Sequence, residues 1–163
     1  MKTPLSKKPT IILVDDHLIF RQGLKSLINF ENIGTVIEEA SDGNEFLKLL
    51  SKTTPDLVIM DIDMPNMNGM EATQKALEMF PDLKIIVFSM FGDKEYYIKM
   101  IDLGVKGFIL KSSGITELEQ AIYDVMVGKS YYSNELPRKT INKFGLKNSV
   151  IVKDEHKPPI PWW

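Results

Sequence analysis

The sequence D-L-V-I-M-D-I-D-M-P-N-M-N-G, residues 56–69, decides the fold of this chain. Residues 57–60 are apolar without polar alternation, which is typical of a strand buried on both faces of a parallel sheet. The run ends in Asp61, whose charge is costly to bury unless it reaches solvent or a cation at the open end of the strand. Turn-forming residues follow, and Asn68 with Glu71 has the spacing of a helix capping box. The stretch therefore predicts a strand, an acidic turn and a helix.

The same alternation of short apolar runs and longer helical patterns repeats along the chain. Strands are predicted over residues 10–14, 35–40, 56–60, 84–89 and 107–110, each followed by a helix. The second strand is the most polar, so we expect it at a sheet edge. Thr116 and Glu119 repeat the capping-box spacing, which predicts the start of the last helix. Five βα units predict the α/β class with a doubly wound (βα)5 parallel sheet.

The composition is that of an ordinary globular protein. The 163 residues are 44% hydrophobic and 26% charged, which fits one domain with an appendage. No apolar run approaches the roughly 18 residues of a membrane span, and the first residues lack the apolar region of a signal peptide. We therefore expect a cytoplasmic protein with no membrane contact.

Cysteine, histidine and charge narrow the chemistry further. The absence of cysteine excludes disulfides and thiolate sites, and two histidines disfavour a multi-histidine metal site. The net charge is −6 over residues 1–128 and +4 over residues 129–163. The acidic part favours a bound cation, whereas the tail has the opposite net charge and is a different type of segment.

Functional side chains follow four of the predicted strands. Asp15 and Asp16 follow the first, Asp61 the third, Ser89 the fourth and Lys111 the fifth. In doubly wound sheets the carboxyl ends of the strands meet at one crevice, so we expect these side chains to converge. Three crowded carboxylates repel one another, and either their pKa values rise or a hard cation such as Mg2+ compensates them. Asp61 is then suited to attack a phosphoryl group.

This ordered set resembles the receiver domain of two-component response regulators. The resemblance lies in D-D at 15–16, I-M-D-I-D-M-P-N-M-N-G at 59–69, F-S-M at 88–90 and K-G-F-I-L-K at 106–111. The wording V-F-S-M-F-G-D and G-V-K-G-F-I-L-K-S-S is similar to the NarL/FixJ branch of transcriptional regulators. It implies a flavodoxin-like strand order 2-1-3-4-5 and a phosphorelay in which a histidine kinase phosphorylates the domain to control an output, which is transcription in an intact NarL/FixJ-type regulator.

The resemblance also implies a magnesium site and a phosphoacceptor. Asp61 is the expected phosphoacceptor. Asp16 and Asp61 are the expected direct Mg2+ ligands, with the backbone carbonyl of Asp63 as another and Asp15 acting through water. Mg2+ is thus the one expected cofactor.

A second set of roles follows from the same resemblance. Ser89 is the expected switch hydroxyl, Lys111 the phosphate-binding cation and Phe108 the switch aromatic. The residues expected to tune dephosphorylation are Asp63, Met90 and Phe91. Ser112 follows Lys111 where many receivers have proline. Because a cis peptide bond before a residue other than proline is costly, the resemblance does not establish a cis bond there.

Other interpretations of these residues stay open. A strand-end aspartate is often a cap, and Asp16 in that role would cap the first helix. Phe108 is in a strand, where an aromatic side chain is most often part of the core. His17 is expected to be a solvated residue at the helix start.

Two other functional classes share parts of the pattern. Asp61-Ile62-Asp63 has the D-x-D form of haloacid-dehalogenase-type phosphatases, in which the first aspartate is the nucleophile. In that family the motif follows the first strand and a cap covers the substrate, whereas here it follows the third strand and no insertion supplies a cap. A flavodoxin-like cofactor carrier needs a hydroxyl- and glycine-rich phosphate loop after its first strand, but residues 15–18 read D-D-H-L, whose charge would repel a phosphate. We therefore expect a signalling phosphoacceptor rather than a turnover enzyme.

The predicted organisation is an N-terminal extension over residues 1–9, a receiver over 10–130 and a linker or tail over 131–163. A further helix is expected over 134–144, and Trp162 and Trp163 have no assigned role. The tail has no room for a complete helix-turn-helix, so we expect no DNA binding by this chain itself. Its expected partners are a sensor histidine kinase and either an output partner or a second copy of the chain.

Overall fold

The structure is a computed structural model and describes residues 3–90, 92–133 and 149–150. Its first half comprises β1 (Thr10–Val14), α1 (Leu18–Phe30), β2 (Thr35–Ala40), α2 (Gly43–Leu50), β3 (Leu57–Met60) and α3 (Gly69–Met79). The second half comprises β4 (Ile85–Ser89), α4 (Lys94–Leu103), β5 (Gly107–Leu110), a 3-10 turn (Lys111–Ser113), α5 (Gly114–Met126), β6 (Ser130–Tyr132) and β7 (Ser149–Val150).

The strands form one parallel sheet in the order β2-β1-β3-β4-β5-β6-β7. The doubly wound class and the order 2-1-3-4-5 are therefore confirmed. Every residue of β3 is buried, as its unbroken apolar run predicts. The polar strand β2 lies at the edge, also as predicted. The carboxyl ends of β1 and β3 are adjacent, which places Asp15, Asp16 and Asp61 at one end of the sheet.

Two apolar layers cover the sheet. On one face, α2, α3 and α4 pack through buried residues such as Phe46, Ala72 and Met100. On the other face, α1 and α5 pack through buried residues such as Ile28 and Leu118. Alternate residues of the central strands point into each layer, so the strands that carry the aspartates are fixed from both sides.

Strand β6 extends the sheet beyond the five predicted strands. Tyr131 and Tyr132 pair with Gly107 and Phe108 of β5, and the Ser133 backbone N–H donates to the Phe108 carbonyl oxygen at 2.9 Å. Tyr131 packs in the α1/α5 layer and Tyr132 in the opposite layer. This strand crosses the predicted boundary at residue 130, and the predicted domain boundaries stay a prediction.

The connection that leads to β6 has an unusual hand. Helix α5 lies on the same face as α1, yet the step from β5 to β6 runs across the sheet in the direction opposite to the step from β1 to β2. The two crossovers therefore have opposite hands. Because the four crossovers that join β1 to β5 share the right hand that parallel units almost always adopt, β5-α5-β6 is the exception among the crossovers that the structure describes.

The two predicted capping boxes have different outcomes. Asn68 caps α3 and its side chain accepts a hydrogen bond from the Glu71 backbone N–H at 2.9 Å, which confirms the predicted helix start and its Asn68 cap. The second was wrong, because α5 already begins at Gly114, so Thr116 lies inside the helix. The left-handed backbone of Gly114 (φ 83°) joins the 3-10 turn to α5 and sets the earlier start.

Several predictions concern residues outside the described ranges, namely Phe91, the helix over 134–144 and the tryptophans at 162 and 163. None of the helices in the described part of the chain has the length and apolar character that a bilayer crossing requires.

Candidate functional site

The predicted aspartates converge at the carboxyl ends of β1 and β3. The Asp61 backbone N–H donates to the Val14 carbonyl oxygen at 2.9 Å, and the Asp15 N–H donates to the Ala40 carbonyl oxygen at 3.0 Å. Parallel pairing thus fixes the backbone of both residues. Carboxylate oxygens of Asp15, Asp16 and Asp61 lie within 4.8 Å of one another, together with a ring nitrogen of His17. Such a group has the oxygen donors that Mg2+ prefers.

Lys111 reaches this cluster from the end of β5. Its Nζ lies 2.6 Å from Asp15 Oδ2 and 3.5 Å from Asp61 Oδ2. The same ammonium lies 4.2 Å from the ring centroid of Phe20, which adds a cation-π contact. The Lys111 side chain is only 5% exposed, so its charge acts on the carboxylates with little screening by water.

The electrostatic state of Asp61 follows from its burial. Asp61 is 4% exposed, and desolvation raises the pKa of its carboxyl from 3.8 to about 6. Lys111 opposes that shift, whereas Asp15 and Asp16 add to it by like-charge repulsion. The Asp61 carboxylate Oδ1 also accepts a hydrogen bond from the Ile62 N–H at 2.9 Å. One lysine therefore does not balance the cluster, which favours an additional cation.

Asp16 has a carboxylate oxygen that suits a cation. Its Oδ1 atom is buried and accepts no hydrogen bond within the described part of the chain, although His17 Nδ1 lies 3.2 Å from it. A buried carboxylate oxygen without a hydrogen bond is costly. The free oxygen beside two further carboxylates fits a hard divalent cation, so the residues that are present suit Mg2+. The role of Asp63, which is exposed, as a carbonyl ligand stays a prediction.

Ser89 ends β4 on the other side of Asp61. It is 1% exposed and lines a cavity of about 270 Å3 together with Asp63, Asn68 and Tyr96. Met90, the next residue, is 66% exposed. Because Phe91 lies outside the described residues, the predicted set that tunes dephosphorylation is placed only in part.

Phe108 does not lie in the carboxylate cluster. It is fully buried, and its ring stacks on Tyr97 of α4 with a centroid distance of 3.9 Å and an interplanar angle of 38°. Tyr132 of β6 lies opposite it in the register. The aromatic stack therefore links α4, β5 and β6 rather than the phosphoacceptor directly.

Three residues near the cluster were not predicted to have a role there. Arg21 donates from its guanidinium to the Asp15 carbonyl oxygen at 2.5 Å and to Glu39 at 3.1 Å, which ties α1 to β2. Phe20 lies against Lys111, and His17 lies against two of the aspartates. All three lie at or near the start of α1. The sequence signal for such contacts is a basic or aromatic side chain within one helical turn of Asp15 and Asp16.

Comparison with known proteins identifies what shares this arrangement. Residues 11–123 match the response regulator receiver domain. The chain is 32% identical over 150 residues to the transcriptional regulatory protein DegU of Brevibacillus brevis, with 92% of this chain covered. It is 35% identical over 135 residues to the oxygen regulatory protein NreC of Staphylococcus carnosus, with 82% covered. In both cases the match spans 62% of the relative's length.

A solved structure agrees with the sequence matches. A two-component response regulator of the LuxR family from Aurantimonas sp. SI85-9A1 superposes with a TM-score of 0.78 at 32% identity. The match covers 85% of this chain and 99% of that one. No comparison supports the haloacid-dehalogenase interpretation.

Proposed function

This chain belongs to the response regulator receiver family, in its NarL/FixJ branch, and on that premise we propose that Asp61 accepts a phosphoryl group from a histidine kinase. The observation that carries the proposal is the buried Asp61 carboxylate, which lies 3.5 Å from the Lys111 ammonium and shares one cluster with Asp15 and Asp16. An aspartate exposed on the protein surface would lack both the neighbouring lysine ammonium and the two nearby carboxylates.

The chemistry assigned to Asp61 is nucleophilic attack on phosphorus. One carboxylate oxygen forms the new bond to phosphorus while the bond from phosphorus to the donor breaks, and the donor leaves with that electron pair. In this proposal Lys111 would attract the oxygens of the incoming group. Mg2+, held by Asp16 and Asp61 with Asp15 acting through water, would neutralise the charge that develops on those oxygens. Asp61 must be ionised to react, and Lys111 favours the ionised form because its charge opposes the rise in the Asp61 pKa that burial causes.

The proposed output is a change of conformation. Ser89, at the end of β4, would donate a hydrogen bond to a phosphoryl oxygen and shift the loop that follows it. Phe108 is already fully buried against Tyr97, so a response at this position would move the two rings together. The affected surface would be α4, β5 and β6.

The remaining roles concern the whole protein. We propose that the chain works in the cytoplasm as a signalling phosphoacceptor, with only its own phosphorylation and dephosphorylation as chemistry. Its output would be control of transcription in an intact regulator, reached through a partner or a second copy of the chain. The relatives named above are regulatory proteins, which supports this class of function.

The test is intact mass spectrometry after incubation with acetyl phosphate, with and without Mg2+. We expect the wild type to gain the mass of one phosphoryl group only with Mg2+, and Asp61→Ala to gain none. Unchanged modification in Asp61→Ala, or in excess chelator, would overturn the proposal. Asp82→Ala is the matched control, because its exposed carboxylate precedes β4 at the opposite end of the sheet and we expect it to leave the modification in place.

A second experiment tests the switching step. Ser89→Ala should still be phosphorylated, but amide NMR shifts along residues 94–110 should respond less than in the wild type. Equal shifts in both proteins would show that the signal does not pass through the Ser89 hydroxyl.

A further inference from the structure

Helix α1 leaves a large apolar part of its surface uncovered. It carries four of the large apolar side chains that are exposed in the described part of the chain, namely Leu18, Ile19, Leu27 and Phe30. Ile19 and Phe30 are each 85% exposed, so neither side chain is part of this protein's own core. Single exposed apolar residues are common, but several on one helix are typical of a surface that binds another molecule.

The spacing of these residues is that of a helix-packing seam. The α1 seam consists of four residues separated by four, three and four positions, namely Ile19, Gly23, Ser26 and Phe30. This spacing places all four on one face of the helix, whereas the buried residues Leu24 and Ile28 lie on another face. None of the four carries a charge, so a second apolar surface can cover the seam without burying an ion.

The order of side-chain size along the α1 seam is the same in both directions. Ile19 and Phe30 are large and lie at its ends, whereas Gly23 and Ser26 are small and lie at its centre. A methyl group placed on Gly23 would meet no atom within 4 Å, so the helix surface is open there. Two helices can approach closely where small residues meet, and larger side chains then pack on either side of the contact. The seam therefore fits a second copy of itself.

An antiparallel arrangement of the two copies suits the seam better than a parallel one. With a two-fold axis at the middle of the seam, Ile19 of one copy meets Phe30 of the second copy, and the small residues of both face one another. The Phe30 ring then lies beside a hollow of about 250 Å3 between α1 and the start of α5. A parallel arrangement would align the two helix dipoles and bring the Asp15 and Asp16 carboxylates of both copies together.

We propose that a second copy of this chain docks on the α1 seam and forms an antiparallel, two-fold symmetric dimer. The inference assigns a surface to the second copy through which the proposed output is reached, but it needs no phosphoryl transfer. Because one helix of each copy supplies the seam, the interface is at the small end of specific interfaces. We therefore expect the dimer to dissociate in the micromolar range.

The first test is sedimentation velocity of the full chain over a range of concentrations, without a phosphodonor. We expect a reversible equilibrium of monomer and dimer. Ile19→Glu should weaken the dimer by at least about tenfold, because each dimer would bury two unpaired carboxylates, and the exposed position should tolerate the change in the monomer. Met79→Glu is the matched control. Met79 is also exposed, but it lies on α3 at the opposite face of the sheet, so the dimer should be unchanged.

Cysteine cross-linking tests the antiparallel arrangement, and the chain has no cysteine of its own. In a mixture of Ile19→Cys and Phe30→Cys, mild oxidation should link one copy of each, since facing residues can bring their Cα atoms within the roughly 7 Å that a disulfide allows. Either variant alone should cross-link several-fold less, because identical positions lie about 16 Å apart along antiparallel helices.

Three results would overturn the proposal. The first is a wild type that stays monomeric well above the micromolar range; if Ile19→Glu then blocks phosphorylation by a histidine kinase, the seam binds the kinase instead. The second is a dimer that Ile19→Glu does not weaken. The third is Ile19→Cys alone cross-linking as well as the mixture, which indicates parallel helices. None of these results bears on phosphorylation of Asp61 by acetyl phosphate, which the mass assay measures separately.

Discussion

Asp61 combines burial with a charge, and this combination has a cost in stability. Its folded-state pKa of about 6 lies above the ordinary 3.8, so the fold favours the protonated carboxyl over the carboxylate. The favourable contribution of the protonated form is complete below the unfolded-state pKa and is lost as the pH rises through about 6. At neutral pH the protein therefore holds a destabilising charge at the position where the proposed reaction needs it.

Asp61→Asn should remove that cost. In a chelator at pH 7.5 we expect the variant to be more stable than the wild type by up to about 3 kcal/mol, given about 1.4 kcal/mol for each pKa unit. The gain should shrink as the pH is lowered from 7.5 through 6 toward 4. Urea unfolding at these pH values measures it. Asp82→Asn, at an exposed position, is the control and should change stability by less than about 0.5 kcal/mol. A gain that does not vary with pH would contradict this account of Asp61.

The positions of individual site residues could be predicted where those residues directly follow a strand. Asp15, Asp16, Asp61 and Lys111 each follow an apolar run, and parallel topology brings such positions together. The contact of His17 with two aspartates was not predicted, because it depends on the rotamer of a side chain at a helix start and not on any periodic pattern. The same is true of the Phe20 ring beneath Lys111.

At the scale of single elements, the start of α3 is packed against Asp61, the proposed phosphoacceptor. A methyl group placed on Gly69 would lie 1.9 Å from the Asp61 carbonyl oxygen, so a side chain there must displace backbone. The Gly69 N–H also donates to the Ile62 carbonyl oxygen at 2.8 Å. The turn after β3 is thus held by α3, which keeps Asp61 at its position.

Gly69→Ala should therefore destabilise the protein by about 3 kcal/mol, the upper end for overpacked sites, and slow phosphorylation of Asp61. Gly23→Ala is the matched control, because Gly23 lies within α1 with nothing within 4 Å of the added methyl group. We expect it to stabilise the protein by about 0.5–1 kcal/mol and to leave phosphorylation unchanged. Thermal unfolding and the mass assay measure both. Similar effects of the two substitutions would show that the contact between α3 and Asp61 is not needed for stability or for phosphorylation.

Element positions were predicted well where hydrophobic periodicity was strong. The bounds of α4 and β5 agree with the pattern, and α3 begins at Gly69, directly after its Asn68 cap. The start of α5 was misplaced because the motif at Thr116 and Glu119 satisfies a local rule, while the 3-10 turn and Gly114 fix the entry from upstream. Strand β6 was missed because a three-residue strand is too short for its pattern to be distinguished from a connector.

At the scale of the whole molecule, we predict that this chain does not read DNA sequence. Residues 129–163 carry a net charge of +4, which gives a salt-sensitive attraction to phosphates without base discrimination. A titration at physiological salt against a genomic fragment library, with and without beryllofluoride, measures this. Enrichment of one sequence over competitor DNA by ~10³-fold or more would refute the prediction. The match to 62% of the length of DegU and NreC leaves DNA recognition in an intact regulator a separate question.

We also predict that strand β6 protects the molecule from self-association through the edge of β5. The edge of β5 that it covers belongs to a strand with four buried residues, and an uncovered apolar edge is a template for pairing with another molecule. The strand is held in place by the packing of its two tyrosines, by the Ser133 hydrogen bond and by pairing with β7 on its other side. A chain shortened to residue 129 should self-associate into assemblies larger than a dimer as its concentration rises, and the full chain should not. Light scattering of the two chains separates these outcomes, and equal scattering would show that the cover is dispensable.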